Sequence, residues 1–67
     1  MSTNEIAELI ASMPIGKQRY TVAVYFGRAL YLTPHFDAAA FLRQAGLDAN
    51  ETRVAMFENA WHGDLLI

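Results

Sequence analysis

The sequence contains no cysteine. Neither disulfides nor a thiolate zinc site can therefore supplement the core of this fold. Charge is scarce as well: 18% of the 67 residues are charged and the net charge is −2. A bulk electrostatic attraction to nucleic acid is absent, which leaves only local basic patches for phosphate contact. Histidine is limited to His35 and His62. Neither has a second ligand at i+3 or i+4, and a metal site needs convergent ligands at such spacings. Ser2 and Ser12 are the only serines, and neither sits in a strand–turn–helix elbow. The carboxylates Asp37, Asp48, Glu51 and Glu58 are spread over expected caps and solvated helix faces. The sequence thus predicts no catalytic residue, metal, cofactor or small-molecule substrate, and the protein reads as a non-enzyme.

A long apolar span is also missing. The longest apolar run, Tyr20–Leu32, falls short of the ~20 residues that cross a bilayer, and Arg28 interrupts it. The N-terminus is polar and acidic where a secretory signal would be basic and then apolar. A cytoplasmic, soluble protein is the expectation.

What is present is apolar surface. The hydrophobic fraction is 54%, high for a chain that buries only about 60% of its unfolded surface on folding. Such an excess points to an oligomer or a partner-binding protein. It is concentrated in YTVAVYFGRALYL, Tyr20–Leu32, which holds all three tyrosines and a single charge.

Helical punctuation organises the chain. Ser2-Thr3-Asn4-Glu5 has capping-box spacing, and Ile6, Leu9, Ile10 and Met13 follow at i, i+3, i+4 and i+7. The first helix is predicted over about residues 4–13, ended by Pro14 and Gly16. For Lys17–Leu32 the Val, Thr, Tyr and Phe content also fits a hairpin turning near Gly27–Arg28. Phe-Gly-Arg-Ala, however, lacks tight-turn chemistry. Helical spacing places Lys17, Thr21 and Arg28 in one narrow polar stripe, as on a buried helix. Asp37 is a cap or first-turn acid for a third helix, with Ala38, Phe41, Leu42 and Ala45 on its inner face and Gly46 as left-handed terminator. Asp48 with Glu51 opens a fourth helix, whose core stripe is Val54, Phe57 and Trp61 and whose stop is Gly63. The predicted fold is all-α, a compact bundle of about four short helices forming a single domain over residues 1–67. The alternative is α+β with a hairpin at residues 20–32.

Ala23 and Gly27 are small residues one turn apart, flanked by Tyr20, Val24 and Tyr31, and such spacing admits a second helix closely. That helix is either helix 1 or 4 of the same chain or the same helix of a second subunit, while Val22, Phe26 and Ala29 point towards the core. The candidate dimer or partner interface is therefore Tyr20, Ala23, Val24, Gly27 and Tyr31. Lys17, Arg19, Arg28 and Trp61 are further candidate contacts, with the Leu65–Ile67 tail beside Trp61. Aromatics and arginine are what interface hot spots favour. A rival reading is a helix-turn-helix at residues 37–61 that binds DNA. Its groove-entering residues would be Asp48, Ala49, Asn50 and Glu51, with Arg53 the only cation, and the usual alanine before the turn glycine is replaced by Leu42.

The stretch MSTNEIAELIASMPIGKQRYTVAVYFGRALYLTPHFDAAAFLRQAGL resembles small proteins encoded in enterobacterial prophages and phage satellites. Some of those act as derepressors, binding a phage repressor and disabling it. The resemblance transfers no residue role. It implies a regulatory binder, such as an antirepressor or host-factor inhibitor, whose partner is another protein. Self-association as a dimer is expected beside it.

Overall fold

The computed structural model describes residues 2–63. Four helices follow in order: α1, Thr3–Ala11; α2, Lys17–Leu30; α3, Ala38–Gln44; and α4, Glu51–His62. There is no strand among the described residues: Tyr20–Leu30 lies within α2, Tyr31 and Leu32 form the turn after it, and there is no hairpin. The Cα radius of gyration is 10.7 Å, close to the ~11 Å of a well-packed chain of this length. No helix among the described residues is long and apolar enough to cross a membrane.

The caps explain the boundaries. The Ser2 hydroxyl accepts from the Glu5 N–H while the Glu5 carboxylate accepts from the Ser2 N–H, the reciprocal box that the spacing predicts. α1 stops two residues earlier than expected, at Ala11; the Ser12 hydroxyl donates to the Leu9 carbonyl there, and Pro14 has no N–H with which to extend the ladder. The Asp37 side chain caps α3 by accepting from the Ala40 N–H. At its other end Gly46 adopts φ 77°. There the Gly46 N–H donates to Arg43 and the Leu47 N–H to Leu42. These two bonds form a Schellman motif, and they satisfy carbonyls that the helix end would otherwise leave open.

One cap differs from expectation. α4 is capped by Asn50, whose side-chain oxygen accepts from the Arg53 N–H, and not by Asp48. The Asp48 carboxylate instead accepts from the Asn50 amide at 2.7 Å. It orients the cap residue rather than serving as the cap. Six residues, Ala45–Asn50, consequently separate α3 from α4, more than the 3–4-residue turn of a helix-turn-helix.

α2 lies against all three other helices, whereas α1 and α4 do not pack on each other. The core between them is Ala7, Ile10, Ala23, Phe41, Leu42, Ala45, Leu47, Phe57 and Trp61. The face of α2 that turns inward is the small one. Ala23 is fully buried, and a Cβ at Gly27 would overlap the indole of Trp61. Val22, Phe26 and Ala29, expected in the core, are half-buried or exposed. The reason is volume: a bulky face on α2 would leave no room for the tryptophan of α4.

Candidate functional site

α2 and α4 run side by side in the same direction. Tyr20 stacks on Phe57 with ring centroids 6.1 Å apart, Gly27 lies under Trp61, and the Tyr31 and His62 rings meet edge-on at 4.5 Å. Close approach at Gly27 brings the two helix axes together there. Towards their N-termini the larger Tyr20 and Phe57 hold a groove open at the surface. Its walls are Tyr20 and Val24 from α2, with Arg53, Met56, Phe57 and Ala60 from α4. The volume is about 270 Å³, below the ~300–1,000 Å³ of small-molecule pockets. It suits one or two apolar side chains better than a whole ligand.

The groove has a single charged wall residue. The Arg53 guanidinium lies over the Tyr20 ring at 4.7 Å from its centroid, a cation–π contact that fixes the ring against Phe57. Met56 at the lip is 60% exposed, and its unbranched thioether can adapt to varied apolar shapes.

The sequence-predicted interface is divided by the fold. Tyr20 and Val24 line this groove. Ala23 and Gly27 face α4 of the same chain and are buried there, so they offer no surface to a second subunit. The close helix partner expected for them is internal. Tyr31 lies at the far end of α2 in a separate cleft of about 470 Å³ shared with Leu32, Phe36, Val54, Glu58 and His62. Lys17 and Arg28 are exposed.

Two of the further candidates are corrected outright. Trp61 is 2% exposed and packs among Phe36, Phe41 and Phe57; it is the centre of the core, not a contact surface. Arg19 is 8% exposed. Its guanidinium donates to the carbonyls of Ala11 at 2.8 Å, Gly46 at 3.1 Å, and Met13. Ala11 ends α1 and Gly46 follows the end of α3. Both helix termini carry partial negative charge and open carbonyls, which a buried cation neutralises and satisfies together. Arg19 is therefore a structural fastener and not part of a solvated basic cluster. The Leu65–Ile67 tail lies outside the described residues.

Met56, Ala60 and Arg53 were not among the predicted contacts. Their signal was present: Arg53, Met56, Phe57 and Ala60 repeat i, i+3, i+4 and i+7, a second stripe beside Val54–Phe57–Trp61. Among the described residues no group of three or more His, Asp or Glu side chains converges as a metal site would require. Comparisons with protein families, curated proteins and solved structures return no match to this chain.

Proposed function

We propose that this protein is a non-enzymatic regulator that acts by binding another protein through the α2–α4 groove. The observation that supports this reading is the groove itself. The chain fills its core with Trp61, Phe41, Ile10 and Leu42, yet leaves Tyr20, Val24, Met56 and Ala60 along an open apolar channel. Apolar channels of this kind on small helical domains serve as docking sites for partner side chains. The resemblance to prophage-encoded proteins gives the reading its concrete form, an antirepressor or host-factor inhibitor whose target is a repressor or a host regulator.

The test is to pass host extract over immobilised wild-type and Met56→Asp chains, then to purify whatever only the wild type retains and titrate it calorimetrically. Saturable binding is expected, weakened at least tenfold by Met56→Asp, a change of about 1.4 kcal/mol or more. If nothing binds the wild-type chain saturably, the protein-binding reading fails.

A further inference from the structure

The charges around the groove are segregated. α2, KQRYTVAVYFGRAL, carries three cations and no carboxylate. Arg19 is turned inward, but Lys17 and Arg28 are exposed. With Thr21 they form a stripe at i, i+4 and i+11 that borders Tyr20 and Val24 along the helix. Arg53 stands in the opposite wall. The side chains of Lys17, Arg28 and Arg53 make no hydrogen bond to another described residue. The carboxylates of α4 lie elsewhere. Glu51 and Glu58 share a face one heptad apart, and Glu58 lines the other cleft, on the far side of Phe57 from Met56. Among the described residues, an apolar channel is thus edged by cations, with no carboxylate in its walls.

Resting on the protein-binding reading, we infer that the groove receives an acidic amphipathic helix of the partner. Two apolar side chains about one turn apart would enter between Tyr20, Val24, Met56 and Ala60. Carboxylates on that helix's flanks would face Lys17, Arg28 and Arg53. A helix fits because the walls are side chains of two helices whose backbone groups are already paired, so an extended peptide would find no sheet edge to join. An acidic partner fits because the cations on the rim gain complementary charge and a faster encounter. A second copy docking through the same groove would set these cations against one another, and that juxtaposition is repulsive.

The experiment is a selection on the full chain from a displayed library of helical peptides of about 18 residues, long enough to hold a helix. The seam is fixed as Leu at i and i+4, and the flanks are drawn from Glu, Lys and Ala. Selected peptides should be rich in Glu at the flanks. Their affinity should fall about tenfold on Arg53→Glu or Lys17→Glu, and selection on the charge-reversed chain should favour Lys instead. Met56→Asp, at a position 60% exposed, should abolish binding while circular dichroism and thermal melting stay unchanged.

Four results would each overturn the inference: no selected binder, binders without a carboxylate excess, binding indifferent to Met56→Asp, or displacement of the peptide by duplex DNA. A wild-type dimer in sedimentation that Met56→Asp dissociates would overturn it too, since a second copy would then hold the groove. A partner protein retained by the wild type, together with a library showing no acidic preference, would remove this inference and leave the protein-binding reading standing. The reverse pair, no partner retained by the wild type but a library rich in Glu, would remove the protein-binding reading and with it the partner helix, and leave only the groove's acidic preference.

Discussion

The Trp61 indole occupies the space that a side chain at position 27 would need. Gly27 presents bare backbone to the ring atoms Cε2, Nε1 and Cζ2. A glycine inside a helix costs about 1 kcal/mol relative to alanine, and here the tryptophan packed against it offsets that cost. The contact places the core of this molecule between α2 and α4 and determines which face of α2 looks outward.

Gly27→Ala separates packing from propensity. Helix propensity alone would stabilise the variant by about 1 kcal/mol. Overlap with Trp61 reverses the sign, and a net loss of about 1–3 kcal/mol is expected from overpacking. Urea unfolding measures it. A stabilised Gly27→Ala would show that the indole does not sit on this glycine.

Arg19→Met keeps the length and apolar stem of the side chain but strands three carbonyls. A hydrogen bond from a charged donor contributes about 1.5–3 kcal/mol, and the whole chain is stable by only about 3–10 kcal/mol. A loss of about 3 kcal/mol or more is expected, visible as a collapse of the urea midpoint. Arg19→Lys should recover only part of it, because one ammonium cannot present the guanidinium fork to carbonyls on two elements. Equal stability of wild type and Arg19→Met would contradict the fastener role.

At the start of α4 two capping-type residues stand two apart. Asn50→Ala removes the acceptor for the Arg53 N–H and should cost about 1 kcal/mol. Asp48→Ala removes only the carboxylate that steadies the Asn50 amide, so its cost should be smaller. Thermal melts of the two variants give the order directly, and a reversed order would return the cap to Asp48.

His35 occupies the left-handed region at φ 63°. It follows Pro34 in a turn closed by the Phe36 N–H donating to the Thr33 carbonyl at 3.1 Å, the position at which a type II turn prefers glycine. His35→Gly should raise stability by about 0.5–1 kcal/mol. His35→Val should lower it by more than about 1 kcal/mol, since a β-branched residue resists positive φ. Calorimetric melting compares them, and a destabilised His35→Gly would mean that the imidazole makes a contact outweighing its backbone cost.

The helices were legible from local chemistry. Ser2, Asp37 and Gly46 act within a turn of their own positions, so sequence spacing alone identifies them. The inner face of α2 was not legible, because that helix is apolar on most of its circumference and periodicity cannot choose a direction. The choice depends on where the largest side chain of α4, some 34 residues later, finds a bare backbone. Arg19 misled for a related reason. Beside Lys17 and Gln18 it reads as solvated, and only the convergence of two helix ends in space supplies the carbonyls that draw it inside. The groove was half legible: Tyr20 and Val24 stand out as exposed-or-docked aromatic and aliphatic residues, whereas Met56 and Ala60 become a wall only when α4 lies along α2.

The three acceptors of Arg19 lie 6, 8 and 27 positions away along the chain. In kinetic terms the guanidinium is expected to close late, like a latch, since its full set of acceptors exists only once α1, α2 and the end of α3 have met. Interactions absent from the transition state leave the folding rate alone and govern escape from the native state. Stopped-flow measurements on Arg19→Lys should therefore show nearly the wild-type refolding arm and a markedly faster unfolding arm. On this view the arginine sets how readily α1 and the end of α3 part from α2, beside the packing of Trp61 that holds α4.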